Sequence, residues 1–302
     1  MNGIVIYNDQ AGGPSNGSAS PDPEALRAAL ATVGINADVH AVNGKQIQRF
    51  ISDAVSRRPD VIFAGGGDGT VSAAAARLID TGIPLGVLPM GTLNHFARDL
   101  GVPMGWQAAI DSLASAAVRA IDVAEVNGHI FINNCSLGSY AEAVRRRDAL
   151  RKRKGLGKWR AMMVASWIVF KELRRLRLRI AIAGETLSLR TPFVLVSNNR
   201  YTGRVLASSL RPRLDEGRLW LYTTRAHRHG ALIRLIWQTL TRRIDEADEL
   251  EVHSLTEATI TLAQGALAVA ADGEVLDVQS PLHFRIRPAA LQVLAPATRA
   301  TE

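Results

Sequence analysis

The sequence predicts an α/β plus β protein, in which a parallel α/β domain is followed by a domain of antiparallel strands. Two observations support this fold class. Up to residue 122, short apolar segments alternate with segments of helical periodicity, which is typical of a parallel sheet flanked by helices. Beyond residue 122, short β-like segments separated by turns follow one another closely, which indicates antiparallel pairing in a sandwich or barrel.

The predicted α/β domain covers residues 1–122 and the predicted β domain covers residues 123–286, while the tail, residues 287–302, is free to return to the first domain. The expected strands of the first domain are apolar runs at 4–7, 37–42, 61–64 and 85–88. Its expected helices show apolar residues at helical spacing at 23–33, 47–56, 71–80, 94–100 and 106–115.

The second domain is expected to consist of short strands joined by tight turns such as Asn127-Gly128 and Asp272-Gly273. These strands are expected at 124–126, 129–133, 177–183, 186–189, 193–197, 218–223, 250–255, 259–262, 266–270 and 282–286. Two helical stretches are expected between them, at roughly 155–176 and 227–241.

The composition excludes several classes of protein. The chain has one cysteine, Cys135, which excludes an intramolecular disulfide and a cysteine zinc cluster. Its apolar neighbours predict a buried thiol without a catalytic role. Residues 1–7 have the pattern of a first strand and not of a signal peptide. The apolar run 161–170 is about half as long as a membrane span requires.

A run of three glycines marks the candidate site. The apolar strand 61–64 ends at Gly65-Gly66-Gly67, and Asp68-Gly69-Thr70 follows. Backbone without side chains lets an anionic ligand approach the main-chain N–H groups. Asp68 and Thr70 add a carboxylate and a hydroxyl, which suit a nucleotide phosphate with its metal or ribose. The alternative interpretation is a tight turn from strand to helix, but three consecutive glycines cost more backbone entropy than a turn needs.

Two further loops are expected at the same edge of the sheet. Residues 8–13 follow the first strand and residues 89–92 follow the fourth, and ligands of parallel sheets bind at the carboxyl ends of strands. We predict that Thr92 caps the helix that follows it and that its hydroxyl faces the same cleft as Asp68.

These segments resemble a known family. Residues 66–70, Gly-Gly-Asp-Gly-Thr, followed by residues 89–97, Pro-Met-Gly-Thr-Leu-Asn-His-Phe-Ala, are similar to the diacylglycerol kinase catalytic domain. The similarity is to the soluble bacterial lipid kinases, which are related to sphingosine and ceramide kinases. Residues 121–123, 131–134, 137–138 and 272–274 match further segments of the family in order. The resemblance implies ATP-dependent phosphorylation of a lipid hydroxyl. It also implies a Rossmann-like first domain, a β-rich second domain and a nucleotide in the cleft between them.

The resemblance also implies which residues bind ATP. Carried over by position, they are Asn8, Ala11, Gly12, Gly66, Gly67, Asp68, Gly69, Thr70 and Thr92. The chain has no Gly-x-x-x-x-Gly-Lys-Ser/Thr loop, so backbone amides and a magnesium ion linked to Asp68 are expected to grip the phosphates.

The acidic turn at residues 272–274 is the second candidate site. An Asp-Gly pair between two β segments is first of all a hairpin turn. The resemblance makes this turn the general base that takes the proton from the lipid hydroxyl. We favour Asp272 for that role, with Glu274 as the second candidate or as the residue that orients Asp272.

Residues 211–219 resemble a family loop that binds a structural magnesium ion. By position, Glu216 would supply a carboxylate, and Arg213 and Arg218 would supply backbone carbonyls. The family usually has Asp where Glu216 stands, so a solvated acidic turn is the alternative. Two other positions depart from the family pattern, because Asp9 replaces a proline and His95 stands where an aspartate is common.

The positive charge of the chain is concentrated in one segment. The whole chain carries a net charge of +8, whereas residues 145–179 hold ten arginines and four lysines against Asp148 and Glu172, a local net charge of +12. This segment also contains the Trp-bearing apolar stretch 159–170, a composition typical of an interfacial anchor on an anionic membrane. Two alternatives are a helix packed on the β domain with solvated arginines, and nucleic-acid binding, although no recognised nucleic-acid module is present.

The sequence therefore predicts a cytoplasmic lipid kinase that uses ATP and Mg²⁺, acts on diacylglycerol or a related lipid, and associates peripherally with the inner face of the membrane. The sequence leaves open whether the protein forms a homodimer. Two alternatives remain: an NAD kinase-like enzyme, which shares the Gly-Gly-Asp-Gly-Thr element, and a catalytically silent nucleotide-binding membrane adaptor.

Overall fold

The computed structural model describes residues 1–11, 21–44, 46–138, 141–142, 144–146, 176–182, 184–201, 211–224, 250–262 and 268–297. The chain divides into two compact units. The first consists of Met1–Val123 together with Pro288–Glu302, and the second consists of Ala124–Arg287.

The first unit is built on parallel strands that alternate with helices. The strands are β1 (Asn2–Asn8), β2 (Asn36–Val42), β3 (Val61–Gly66) and β4 (Leu85–Pro89). The helices are α1 (Pro23–Thr32), α2 (Ile47–Ser56), α3 (Asp68–Leu78), α4 (His95–Asp99) and α5 (Trp106–Asp111), and a 3-10 helix follows at Ser112–Ser115. The predicted α/β class of this part of the chain is confirmed.

The burial of these elements follows from the sequence pattern. All six residues of β3 are buried, as expected for a parallel strand that helices cover on both faces. Helix α2 buries Ile47, Ile51 and Ala54, whose spacing of four and three residues places them on one face. Helix α3 begins at Asp68, three residues before the predicted start of 71, because Gly67 already stands at its N-cap.

The parallel strands lie side by side in the order β2-β1-β3-β4, so the chain changes the side of β1 on which it adds strands. The chain goes from β1 to its neighbour on one side, β2, and then crosses to β3 on the other side of β1. In open α/β sheets, ligands bind at such a switch point, outside the carboxyl ends of the strands. In this sheet those ends are the loops after Asn8 and after Gly66.

The second unit is made of antiparallel strands, which confirms the predicted class of its fold. The strands in this part of the chain are β5 (Ala116–Val126, which begins in the first unit), β6 (His129–Phe131), β7 (Asn134–Gly138), β8 (Leu176–Ile182), β9 (Glu185–Thr191), β10 (Phe193–Asn198), β11 (Leu219–Thr224), β12 (Leu250–Leu255), β13 (Glu257–Leu262), β14 (Val269–Ala271), β15 (Glu274–Leu276) and β16 (Leu282–Pro296).

Two layers of strands enclose the core of the second unit. One layer has the order β12-β11-β10-β7-β14-β15, and the other contains β13, β8, β9 and the start of β16. Residues from both layers form one apolar cluster that includes Leu221 from the first and Ile180 from the second. Phe131 and Phe284 meet edge to face within it, with their ring centres 6.4 Å apart.

The strand β16 takes part in both units. Its first residues pair antiparallel with β13, where Leu282 lies opposite Ile260. Its last residues pair in parallel with β4, where Val293 lies opposite Leu85. The core of the first unit includes Leu291 and Val293, both fully buried.

Several predicted features lie outside the described residues. They are Gly12, most of the basic segment 145–179, and the helical stretches expected near 155–176 and 227–241, apart from residue 176, which begins β8. Among the helices that the structure does describe, none is long and apolar enough to cross a membrane.

Candidate active site

The glycine-rich loop between β3 and α3 packs against the loop that follows β4. Gly66 has a φ of 156°, and a Cβ at this position would lie 2.5 Å from Oγ1 of Thr70. A Cβ on Gly91 would lie 2.3 Å from the Cα of Gly67. The two loops therefore meet backbone to backbone, which only glycine allows.

Side chains fasten the two loops together. Oδ1 of Asp68 accepts a hydrogen bond from the Phe96 N–H at 3.3 Å, which joins the start of α3 to α4. The Asn94 side chain closes the second loop on itself. Its Oδ1 accepts the Gly91 N–H at 3.0 Å, and its Nδ2 donates to the Gly91 carbonyl at 2.8 Å.

The prediction that Thr92 caps the following helix is wrong. Helix α4 begins at His95, and Asn94 stands at its N-cap in a left-handed conformation with a φ of 50°. Asparagine tolerates this conformation better than threonine, and its side chain is already bonded to Gly91. Thr92 is exposed, two residues before the N-cap.

The loop after β1 ends at the same edge of the sheet as the glycine-rich loop. Tyr7 lies opposite Gly65 in the parallel pairing of β1 with β3, so Asn8 is next to Gly66 in register. Oδ1 of Asn8 accepts the Gln10 N–H at 3.1 Å, and the Asn8 carbonyl accepts the Ala11 N–H at 3.0 Å. These turns bring Asn8 and Ala11 to the carboxyl edge that also carries the residues after β3.

The carboxyl edge of the first unit therefore brings together most of the residues predicted to bind the nucleotide. These are Asn8 and Ala11 after β1, Gly66, Gly67, Asp68, Gly69 and Thr70 after β3, and Thr92 after β4. The edge also includes the start of α3, an eleven-residue helix whose first N–H groups carry partial positive charge. Such an arrangement can bind the phosphates of a nucleotide through backbone amides.

The acidic hairpin lies in the second unit. Asp272 and Gly273 connect β14 to β15 with φ values of 48° and 80°, as a two-residue type I′ turn requires. The Asp272 carboxylate accepts three backbone N–H groups, from Ile132 and Asn133 at 2.9 Å and from Asn134 at 3.1 Å. Glu274 is exposed and opposite Ala271 in the hairpin.

A buried arginine donates hydrogen bonds to oxygen atoms of the same segment, residues 132–134. Arg211 is 1% exposed, and its guanidinium donates to the Ile132 carbonyl at 2.5 Å and to Oδ1 of Asn133 at 2.7 Å. It also donates to the Asn198 carbonyl at 2.9 Å. The segment 132–134 is thus fixed by Asp272 through its amides and by Arg211 through its oxygens. This role cannot be predicted from the sequence, because nothing local distinguishes Arg211 from the exposed Arg213 two residues further on.

Cys135 follows this segment and is fully buried, as the sequence predicts. Burial, together with the negative charge of Asp272, raises the pKa of its thiol far above the usual range for cysteine. The thiolate that a nucleophile requires is therefore strongly disfavoured. Cys135 is therefore not suited to act as a nucleophile.

Two of the three groups implied as magnesium ligands already accept hydrogen bonds. Oε2 of Glu216 accepts the indole N–H of Trp220 at 3.0 Å and the main-chain N–H of Arg200 at 3.2 Å. The Arg218 carbonyl accepts the Asn199 N–H at 3.1 Å. Both groups are therefore held by protein donors in the loop where the resemblance implies a structural magnesium ion. Within the described ranges, no cluster of three or more histidines, cysteines or carboxylates is suited to a metal ion.

The two other departures from the family pattern are on the surface of the first unit. Asp9 is exposed, and its N–H donates to the Val42 carbonyl at 3.1 Å, which continues the pairing of β1 with β2. His95 is exposed at the first position of α4.

Comparison with known proteins identifies the family. Residues 2–126 match the model of the diacylglycerol kinase catalytic domain, and residues 133–295 match that of the YegS C-terminal NAD kinase beta sandwich-like domain. A Pseudomonas savastanoi pv. phaseolicola protein named Probable lipid kinase YegS-like is 31% identical over 260 residues, which are 83% of this chain and 80% of the relative. The chain spans 30% to 58% of the length of four other curated relatives that it matches. The chain belongs to the YegS-like family with a diacylglycerol kinase catalytic domain.

Solved structures share the fold. The structure of a diacylglycerol kinase from Bacillus anthracis str. Sterne superimposes with a TM-score of 0.72 at 20% identity and covers 97% of this chain and 96% of that one. Yeast NADH kinase in complex with NADH superimposes with a TM-score of 0.52 at 14% identity, covering 98% of this chain and 84% of that one. At these identities the likeness concerns the fold alone.

Proposed function

We propose that this protein is an ATP-dependent lipid kinase that transfers the γ-phosphoryl group of ATP to a hydroxyl of diacylglycerol or a related lipid. One observation carries the proposal. The glycine-rich loop 65–70 packs backbone to backbone on the loop at Gly91, at the switch point of a parallel sheet. Membership of a family named for lipid phosphorylation supports the same reaction.

The proposed nucleotide site uses main-chain N–H groups where other kinases use lysine. The N–H groups at the start of α3 would bind phosphate oxygens, and the helix dipole favours negative charge there. Magnesium bound with ATP would neutralise the charge on the transferred group, and Asp68 and Thr70 offer it the hard oxygen donors that it prefers. Asn8, Ala11 and Gly12 would contact the nucleotide from the loop after β1.

The hydrogen bonds in the second unit favour Glu274 over Asp272 as the general base. Asp272 already accepts three N–H groups, and these hydrogen bonds direct both of its oxygens at the backbone of segment 132–134. Asp272 then serves as a positioning residue that fixes the hairpin to segment 132–134. Glu274 is exposed on the adjoining strand, where its carboxylate can take a proton from a lipid hydroxyl.

The reaction is tested by incubating the protein with γ-labelled ATP, Mg²⁺ and vesicles that contain a total lipid extract with added diacylglycerol. Label is expected in a single lipid product that extracts into the organic phase. Formation of NADP from added NAD, without labelled lipid, would instead identify an NAD kinase-like enzyme. Binding of ATP without transfer to any acceptor would identify a silent adaptor.

The basic segment 145–179 is proposed as the contact with an anionic membrane. Its first arginines are within the described residues, where Arg145 and Arg146 form ion pairs with Glu142 at 2.7 Å and 2.8 Å. The following Arg-Lys-Arg-Lys run at 151–154 carries four charges in four residues. Such a cluster gains about 1 kcal/mol per basic residue near an anionic surface, and salt screens this attraction.

Replacement of residues 151–154 by alanine is expected to reduce binding to phosphatidylserine vesicles at least about tenfold, since four favourable charges are lost. Sedimentation with vesicles measures the effect. A control variant with Arg49→Ala and Arg58→Ala removes two exposed charges from the first unit and should bind as the unmodified chain does. Binding that is equal for neutral and anionic vesicles would contradict the proposal.

A further inference from the structure

Glu216 closes the loop before β11 through hydrogen bonds of its main-chain N–H and of its side-chain carboxylate. Its main-chain N–H donates to Oδ1 of Asn199 at 3.0 Å. Its carboxylate accepts the Arg200 N–H and the indole N–H of Trp220 through the same oxygen, Oε2. Asn199 is completely buried, and its own N–H donates to the Arg218 carbonyl at 3.1 Å. Residues 199–200, at the end of β10, are thereby tied to the loop and to the start of β11.

The charges around this loop oppose a divalent cation. The guanidinium carbon of Arg200 is 4.8 Å from the centre of the Trp220 ring, over its face. Arg213 pairs with Asp215 at 3.1 Å on the exposed surface. Three arginines at positions 200, 213 and 218 thus stand against two carboxylates at 215 and 216. A site for Mg²⁺ needs the opposite balance, with more negative ligands than neighbouring cations.

We infer that Trp220 and Arg200 occupy, with their N–H groups, the place where the family resemblance implies a structural magnesium ion. The donors do for Glu216 part of what a cation would do: they stabilise its negative charge by hydrogen bonds and join the loop to the neighbouring strands. The fold of the second unit is therefore independent of divalent cations. Any magnesium requirement of the protein then arises at the nucleotide.

The inference is tested by thermal unfolding without nucleotide, in excess chelator and in excess Mg²⁺. The unmodified chain is expected to have the same Tm in both conditions. Trp220→Phe keeps the ring beneath Arg200 but removes the indole donor, and Glu216→Ala removes the acceptor. Each should lower Tm by about 2–4 °C, equally with and without Mg²⁺.

Glu216→Gln distinguishes a carboxylate that only accepts hydrogen bonds from one that binds a magnesium ion. Glutamine keeps a side-chain oxygen that can accept both N–H groups, so its Tm should stay near that of the unmodified chain. A magnesium ligand would lose its charge in this variant. Glu185→Gln, on the exposed strand β9, is the matched control for the loss of one carboxylate.

A rise in Tm on addition of Mg²⁺ that Glu216→Gln abolishes and Glu185→Gln preserves would overturn the inference. A rise that persists in Glu216→Gln would also contradict the inference, because it would show that a divalent cation stabilises the fold from another site. If Trp220→Phe does not fold, the unmodified chain and Glu216→Gln still decide the question. Because the measurement is made without ATP or lipid, its outcome does not depend on the proposed kinase activity.

Discussion

Glu274→Gln is expected to lower the rate of lipid phosphorylation by about 10²–10⁴-fold, the range typical of a lost general base. Glutamine has nearly the same shape as glutamate but cannot take the proton from the acceptor hydroxyl. Glu274 is exposed, so its replacement should lower the Tm less than Asp272→Asn does, and the affinity for ATP should not change. Steady-state kinetics with diacylglycerol vesicles, together with calorimetric titration of ATP, measure these quantities.

Asp272→Asn is the matched variant two residues away. The amide can keep its oxygen towards the N–H groups of Asn133 and Asn134, but its nitrogen then faces the Ile132 N–H and cannot accept from it. Loss of such a partner costs about 1–3 kcal/mol of unfolding free energy, so Tm should fall by several degrees along with activity. The opposite pattern, an inactive Asp272→Asn with native Tm beside an active Glu274→Gln, would make Asp272 the base.

Gly91→Ala is expected to lower kinase activity by about 10²-fold, the cost of misplacing a site by roughly 1 Å. The new Cβ would lie 2.3 Å from the Cα of Gly67 and 2.8 Å from Oδ1 of Asn94, so the two loops must separate. That movement displaces the amides at the start of α3, and the affinity for ATP should fall with activity.

Gly44→Ala provides the control for this prediction. It makes the same substitution in a loop of the same unit, but the nearest atom to its Cβ would be Nδ2 of Asn8 at 3.6 Å, an ordinary contact that requires no movement of Asn8. Activity near that of the unmodified chain is expected. If Gly91→Ala bound ATP as tightly as Gly44→Ala, the contact between the two loops would have no part in nucleotide binding.

Local sequence signals predict the first unit well. The strand β3 and the glycine-rich turn are correct because an apolar run ending in glycines has few other conformations. The error at Thr92 arose from an equally local rule. Capping preferences favour threonine before a helix, but the bonds between Asn94 and Gly91 fix the start of α4 two residues later.

The second unit depends on contacts that the sequence does not reveal. The strand β7 was not predicted, because Asn134 and Ser136 interrupt its apolar residues, although their alternation with Cys135 and Leu137 is the pattern of a strand. The turn at Asp272 could be predicted from its sequence. Its bond to Ile132 could not, because 140 residues separate the two. The hydrogen bonds of Arg211 to Ile132 and Asn133 cannot be predicted for the same reason, because these residues are distant in sequence.

The strand β16 has a consequence for synthesis on the ribosome. Leu291 and Val293 complete the core of the first unit, and Val293 pairs with β4. Translation reaches these residues only after the entire second unit has been synthesised. Until β16 is made, the edge of β4 that pairs with it is unpaired in the nascent first unit. Unpaired strand edges are prone to aggregation. Folding of the unit that carries the glycine-rich loop is expected to depend on β16, which is synthesised after the second unit.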